Sequence, residues 1–132
     1  MEGKHFIPLK EFKVYQLARN LSSQAWNIYS RMKFEEKKVI GDQFITSADS
    51  IGANIAEGYG RYHYLDKVRF YYNSRGSLME CFEHWLQLLS ERKIISDNEH
   101  DEFLEIAKNF QIKLNNLITQ TKNERYKEKE DK

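Results

Sequence analysis

The sequence predicts an all-α fold, in which a single domain forms an antiparallel up-down-up-down four-helix bundle. Its 132 residues suffice for one hydrophobic core. Proline occurs once, at Pro8, and glycine six times, so few residues interrupt a helix. Four segments repeat apolar residues at spacings typical of a helical face, and only short links separate them. Long helices with short links pack against their neighbours in antiparallel order.

The first two helices are predicted over residues 11–32 and 35–57. Their apolar positions follow helical spacing, in the first helix at Val14, Leu17, Leu21, Ile28 and Met32 and in the second at Ile40, Phe44, Ala48, Ile51 and Ile55. Gly58 and Gly60 come next, and glycine is the residue most favoured just beyond a helix C-terminus. We therefore expect the second helix to end at a turn there.

The last two helices are predicted over residues 64–91 and 97–123. Their apolar positions are Tyr71, Leu78, Phe82, Trp85 and Leu89 in the third helix and Phe103, Ala107, Phe110, Leu114 and Leu117 in the fourth. Ser96 and Glu99 have the spacing of a capping box, which starts the fourth helix. We expect the bundle to comprise residues 1–121. Residues 122–132 contain one apolar side chain, Tyr126, so we expect a frayed or disordered charged tail.

Composition excludes several classes of protein. Aromatic residues reach 14%, which indicates a folded domain although 31% of the residues are charged. No apolar run is long enough for a transmembrane helix, and the first twelve residues lack the apolar core of a secretory signal, so we expect a cytoplasmic protein with no membrane role. The single cysteine, Cys81, excludes an internal disulfide, and its helical spacing from Leu78 and Trp85 predicts a buried thiol.

The stretch SADSIGANIAEGYGR, residues 47–61, is unusually rich in small side chains. A glycine within a helix, Gly52, costs about 1 kcal/mol relative to alanine, so a close approach of the second and third helices is expected there. The third helix carries its own small patch at Ser74, Gly76 and Ser77. Four polar residues near this seam are predicted to pair with one another and set the helix register: Asn54, Glu57, Arg75 and Glu80. A ligand site or an intersubunit contact remains open as an alternative.

Three stretches of the sequence, FKVYQLARNL, SIGANIAEGYGR and RGSLMEC, carry a family resemblance. Together they resemble the four-helix bundle family named for proteins encoded in intervening sequences of bacterial 23S ribosomal RNA, also called the S23 family. The accessory variability protein of diversity-generating retroelements is similar. The resemblance spans about residues 10–120. Glu35 stands where many members have proline, and Ser74 where alanine is usual.

The resemblance implies a fold, an assembly and a set of partners. It implies a four-helix bundle that forms a homopentamer, with five bundles arranged as a barrel. The retroelement relative binds nucleic acid and a reverse transcriptase as an accessory factor, whereas most members have no assigned activity. For this chain we therefore expect self-association, with RNA or DNA and a reverse transcriptase or another protein as partners.

The residues do not indicate an enzyme. Ferritin-like di-iron bundles use Glu-x-x-His on two helices, and the nearest pattern here is a single Asp97-x-x-His100. The glycine motifs of phosphate-binding and dinucleotide-binding loops are absent, as is the serine hydrolase motif. We predict no catalytic residue, no metal ligand and no cofactor.

The predicted topology separates the charges. Lysine and arginine number 21 against 20 acidic residues, a net charge of +1. Residues 1–20, 54–70 and 113–132 meet at one end of an antiparallel bundle and carry 13 positive and 8 negative side chains, which gives +5. The remaining residues carry 8 and 12, which gives −4. Five aligned chains would present a basic ring of about +25.

This basic end is the predicted nucleic-acid face. Its candidate residues are Lys10, Lys13, Arg61, Lys67, Arg69 and Lys122. Aromatic residues interleave with these cations around the turn, where they either stack on single-stranded bases or cap the bundle and contact another subunit. The alternative function is a protein–protein interaction module with no nucleic-acid role, whose partner docks on the acidic end or on the outer wall.

Overall fold

The four predicted helices are present in the computed structural model, which describes residues 7–130 and the side chains of residues 7–124. Helix α1 is Lys13–Ser30, preceded by a 3-10 turn at Leu9–Glu11. Helix α2 comprises Phe34–Glu36, a π-helical turn at Lys37–Gly41 and Asp42–Tyr59. Helix α3 comprises Tyr64–Met79, a π-helical stretch at Glu80–Trp85 and Leu86–Glu91, and helix α4 is Asp97–Glu130.

Contacts between α1 and α2 run in opposite chain directions. The ring of Phe12, just before α1, stacks on Tyr59 at the end of α2 with 4.5 Å between ring centroids. Near the other end, the Tyr29 hydroxyl donates a hydrogen bond of 2.6 Å to Asp42. The beginning of α1 therefore lies beside the end of α2, and these two helices are antiparallel.

Helices α3 and α4 show the same reversal. Arg75 of α3 donates to the side-chain oxygen of Asn115 at 3.1 Å, whereas Gln87, later in α3, lies 3.3 Å from His100 near the start of α4. Helix α2 also packs along α3, and α4 closes the bundle against α1. The predicted four-helix bundle is confirmed, and the contacts described here within the α1–α2 and α3–α4 pairs run antiparallel.

The core consists largely of the positions that helical spacing selected. All of the predicted apolar positions are buried except Leu17, Trp85 and Leu117, which pack against the core with part of their surface exposed. Cys81 is also buried, as predicted. Periodicity identifies these residues because one face of each helix turns toward the bundle axis.

The predicted capping box starts α4. The Glu99 amide donates to the Ser96 hydroxyl at 3.1 Å, and the Ser96 amide donates to the Glu99 carboxylate at 3.0 Å. The same carboxylate forms an ion pair with Arg31 at the end of α1. Burial alone would raise the pKa of Glu99, but hydrogen bonds from Ser96 and the charge of Arg31 lower it below its ordinary value.

Helix α4 continues past the predicted domain boundary at residue 121. Thr121 is buried, and its hydroxyl donates to the Leu117 carbonyl at 2.8 Å, so the core reaches at least this position. Residues 1–6 and 131–132 lie outside the described residues, as do the side chains of 125–130. Whether residues 122–132 form a frayed or disordered tail stays a prediction.

Serine hydroxyls form the direct polar contacts across the seam between α2 and α3. The Ser74 hydroxyl, fully buried, donates to the Ile51 carbonyl at 2.8 Å. The Ser77 hydroxyl donates to Ser50 across the same seam at 2.9 Å. Small side chains let the two backbones approach, and each hydroxyl finds a partner within reach.

The predicted pairing of Asn54, Glu57, Arg75 and Glu80 with one another is wrong on the α2 side. The Asn54 amide donates back, one turn earlier in α2, to the Ser50 carbonyl at 2.9 Å and to the Ser50 hydroxyl at 3.1 Å. Glu57 is exposed and pairs with Arg61 at 3.1 Å, beyond the end of the same helix. Both side chains find a partner four residues away, so neither reaches across the seam.

The prediction is wrong on the α3 side as well. Arg75 turns away from α2 and bonds Asn115 of α4. Glu80 is exposed and accepts a hydrogen bond of 2.8 Å from the Trp85 indole, across the π-helical stretch of α3. These longer side chains flank the narrow serine seam, and they bond to groups outside it.

The glycine of α2 that packs tightly against α3 is Gly58, not Gly52. A Cβ atom on Gly58 would lie 2.6 Å from the Tyr71 ring and 3.1 Å from the Lys67 carbonyl oxygen. A Cβ atom on Gly52 would make an ordinary contact of 3.6 Å, and with Ala18 of α1 rather than with α3. Gly58 is thus required by packing inside α2, and the helix ends one residue after it.

Candidate nucleic-acid interface

The turn between α2 and α3 is held closed by Lys67. Its ammonium group donates to the carbonyl oxygen of Tyr59 at 2.9 Å and approaches that of Gly58 at 3.4 Å. These carbonyls end α2, where unpaired carbonyl groups and the helix dipole favour a cation. Lys67, a predicted nucleic-acid residue, is half-buried and lies 5.5 Å from the Tyr59 ring centroid. It therefore has a structural role at this end of the bundle.

Two exposed arginines converge on one aromatic ring. The guanidinium carbon of Arg61 lies 4.7 Å from the ring centroid of Phe70, and that of Arg69 lies 5.0 Å from the same centroid. Each arginine is also steadied by a carboxylate on its own segment, Arg61 by Glu57 at 3.1 Å and Arg69 by Asp66 at 3.7 Å. The structure thus brings together two predicted residues that lie eight positions apart in the sequence.

A second cation pair surrounds Tyr72 on the α3–α4 side. Lys122 donates to the Tyr72 hydroxyl, and its ammonium lies 4.9 Å from the ring centroid. The guanidinium carbon of Arg75 lies 4.6 Å from the same centroid. Arg75 thus borders the basic end, although the sequence predicts it in the α2–α3 seam. Its spacing of three residues from Tyr72 is the signal that could have identified it.

The remaining predicted cations, Lys10 and Lys13, are exposed before and at the start of α1. The Lys10 carbonyl accepts a hydrogen bond of 2.8 Å from Gln16, which ties this segment to α1. The Phe12 ring between them stacks on Tyr59, so both lysines lie at the same end of the bundle as the α2–α3 turn.

The aromatic side chains around the turn have separate roles. Tyr71 belongs to the core with 2% of its surface exposed, and burial raises the pKa of its phenol. Tyr62, by contrast, is 75% exposed and lies nearly perpendicular to the His63 ring, with 5.2 Å between centroids. Leu65 nearby is 55% exposed. This end of the bundle therefore presents apolar as well as cationic surface.

Charge is separated along the bundle. Among the described side chains of the basic end, residues 7–20, 54–70 and 113–124, eight are positive and four are negative. The remaining described side chains, residues 21–53 and 71–112, comprise eight positive and twelve negative groups. Opposite net charges at the two ends produce an electrostatic field that favours anions at one of them.

A shallow groove runs along the outside of α1 and α2. Its volume is about 530 Å³, and it is lined by Tyr15, Arg19, Ser22, Ser23, Trp26, Asn27, Asp49, Gly52, Ala53 and Ala56. A second depression of about 570 Å³ extends it from Ala53 and Ala56 to Arg61. The motif SIGANIAEGYGR therefore lines an outer surface as well as the α2–α3 seam, and Trp26 remains 56% exposed there.

The described residues contain no cluster of three or more His, Cys, Asp or Glu side chains that could hold a metal ion. His100 of the Asp97-x-x-His100 pattern lies 3.0 Å from Asp101 and 3.3 Å from Gln87.

Burial raises the pKa of the Cys81 thiol to about 12, against a smaller opposing effect of the Ser47 hydrogen bond. In the described part of the chain, no helix has the length and apolarity needed to cross a bilayer.

The fold and its surface define a small four-helix bundle protein with a cationic, aromatic end. The family model for 23S rRNA-intervening sequence proteins matches residues 10–116, and the chain belongs to this family. The S23 resemblance found in the sequence is thereby confirmed, whereas the likeness to the retroelement accessory protein stays a prediction.

A solved structure has the same fold. A protein of unknown function from the S23 ribosomal protein family of Bacteroides thetaiotaomicron aligns with a TM-score of 0.73 and 21% sequence identity. The alignment covers 80% of this chain and 97% of the other. At this level of identity the similarity supports the fold alone. No curated protein matches the chain.

Proposed function

We propose that the protein is a non-enzymatic, self-associating scaffold that binds nucleic acid through the end of the bundle where α2 meets α3. The observation that supports this function is the separation of charge along the bundle. The exposed cations Arg61, Arg69 and Lys122 lie at the basic end, and the opposite end has an excess of carboxylates. The family name refers to a 23S rRNA intervening sequence, which favours RNA as the first ligand to test.

Phosphate contacts explain how such an end would bind. Each lysine or arginine that neutralises a phosphate releases a condensed counterion, so the affinity falls steeply as salt is added. Side-by-side association of several bundles would align their basic ends and multiply the local positive charge. A chain with a net charge of only +1 can then bind a polyanion strongly.

Self-association is supported by two different surfaces on opposite sides of the bundle. The groove of α1 and α2 combines small residues and the exposed Trp26 with polar side chains such as Arg19 and Asp49. On the α3–α4 side, Met79 and Ile112 are 41% and 60% exposed, and Gly76 faces open space. Two different faces permit head-to-tail contacts, which close into a ring when the rotation is suitable.

The test combines light scattering with titration of a structured RNA at two salt concentrations. We expect an oligomer whose affinity for RNA falls at the higher salt. The variant Lys10→Glu/Arg69→Glu/Lys122→Glu should lose most of this binding. Lys67 is left unchanged because it caps α2. The control Lys38→Glu/Arg92→Glu/Lys108→Glu makes the same charge change away from the basic end and should retain binding. A monomer, or equal binding by both variants, would contradict the proposal.

The second candidate function is a protein-binding module without a nucleic-acid role. The observation that favours it is the groove along α1 and α2, whose exposed Trp26 suits a partner helix. This function predicts that an oligomer forms but binds no RNA at either salt concentration. It also predicts that Trp26→Ala, rather than the basic-end variant, weakens capture of the partner.

A further inference from the structure

The guanidinium groups of Arg61 and Arg69 both lie over the ring of Phe70, and together the three side chains form a stacked layer. Both guanidinium carbons lie within 5.0 Å of the ring centroid, a distance at which cation–π attraction holds them against the ring. The Arg69 side chain is nevertheless 65% exposed and that of Arg61 44% exposed. A guanidinium plane supported in this way can stack on a nucleobase while its charge faces a phosphate.

Tyr62 adds an exposed ring at the same turn, one residue after Arg61 in the chain. Among the described aromatic residues around the turn, Tyr62 is the one with a mostly exposed side chain, whereas Tyr59, Tyr64, Phe70 and Tyr72 are partly buried. Tyr71 is in the core, and Tyr59 is covered by Phe12 and by Lys67. The ring of Tyr72 is occupied by Arg75 and Lys122, as described above. Because 75% of the Tyr62 side chain is in water, a stacked aromatic or apolar face would bury more apolar area on it than on a partly buried ring.

We propose that Tyr62, Arg61 and Arg69 form a stacking platform that selects single-stranded nucleic acid with unpaired bases over duplex. This inference rests on the proposed function, and it adds the class of ligand and the residues that recognise it. Duplexes bury the faces of their bases, so they offer phosphates but nothing for Tyr62 to stack on. A single strand offers both phosphates and base faces, and stacking tolerates any base because each has a π-face.

The two parts of the surface then have different tasks. The cations Lys10, Lys13 and Lys122 would contact phosphates in either kind of nucleic acid, and their contribution depends on salt. Tyr62 is uncharged, so its contribution to affinity should depend on the presence of bases and only weakly on salt. This difference allows the platform to be tested separately from the charge.

The experiment measures the anisotropy of three fluorescent ligands with the full chain: oligothymidine, an abasic strand of the same length and a duplex. We expect wild type to bind oligothymidine about five- to one-hundred-fold more tightly than the abasic strand. Tyr62→Ala should lose most of this difference and bind the abasic strand as wild type does. Tyr62→Phe should keep the preference. The control is Phe34→Ala, which removes an equally exposed aromatic ring, 77% exposed, at the opposite end of the bundle.

Each contrary result has a distinct meaning. Equal affinity for oligothymidine and the abasic strand would overturn the platform and leave the proposed function standing. Absence of binding to all three ligands would overturn both proposals. Light scattering on Tyr62→Ala provides the last check, because a smaller assembly would assign this ring to a subunit contact and overturn the platform.

Discussion

The ammonium nitrogen of Lys67 lies 2.9 Å from the carbonyl oxygen of Tyr59, so the first turns of α3 cap the last turn of α2. A charge-assisted hydrogen bond at a half-buried position contributes about 1–3 kcal/mol. We therefore expect Lys67→Met, which keeps the aliphatic chain, to lower the free energy of unfolding by about 1 kcal/mol in urea denaturation. Arg69→Met, on the exposed surface, should change it by less than about 0.5 kcal/mol. Equal effects of the two variants would refute the capping role.

Two glycine-to-alanine changes should have opposite signs. Gly58→Ala would place a Cβ atom 2.6 Å from the Tyr71 ring, and overpacking of this kind costs about 1–3 kcal/mol. Gly76→Ala meets nothing within 4 Å in the same bundle and removes backbone freedom from the unfolded chain. It should raise the free energy of unfolding by about 0.5–1 kcal/mol. Thermal denaturation distinguishes the two, and a stabilising Gly58→Ala would contradict the close approach of α2 and α3.

Alkaline pH should weaken the fold through Cys81. Burial raises the pKa of this thiol from 9.0 to about 12 in the folded state, so its neutral form is favoured by folding. The stability from this group is fully present below pH 9 and is lost as the pH rises from 9 toward 12, by at most about 1.4 kcal/mol per pH unit. Cys81→Ala lacks this loss, so its stability relative to wild type should improve above pH 9. A constant difference across that range would show that the thiol does not titrate with folding.

Acid pH should weaken the fold through the capping box at the start of α4. The folded-state pKa of Glu99 is lower than its ordinary value of 4.5, so its contribution is present above pH 4.5 and is lost as the pH falls. Glu99→Gln should therefore destabilise the bundle at neutral pH and become closer to wild type in acid. Ser96→Ala removes the cap hydroxyl itself and should cost about 1 kcal/mol. Its effect should persist at acid pH, which provides the control in the same urea titrations.

Much of the fold could be predicted because the signals that specify it are local. The spacing of Leu21, Phe44 and Leu114 identifies core faces without knowledge of the partner helix, and all three are fully buried. Ser96 and Glu99 predict a helix start because a capping box needs only four consecutive residues. The turn before α3 follows equally from the glycines that precede it.

The candidate site could be predicted only in part. The net charge of each end of the bundle follows from the sequence and the order of the helices, so the basic end could be located without a structure. The role of each residue within the basic end could not be predicted, since that role depends on distances between helices. Charge alone groups Lys67 with the phosphate-binding cations, but in the structure it is held against the carbonyls of α2. Its position in the sequence predicts Arg75 in the seam, but its guanidinium lies over Tyr72.

By itself, the sequence determined the four helices, their core faces, the cap of α4 and the family, because periodicity, capping and short motifs act within one segment. Only the tertiary structure decided which polar side chains meet. Asn54 and Arg75 have flexible side chains, and in the bundle they bond to groups other than each other. Ser74, with a small side chain, and Gly58, with none, let the backbones of α2 and α3 approach closely, so longer side chains bond beside the seam.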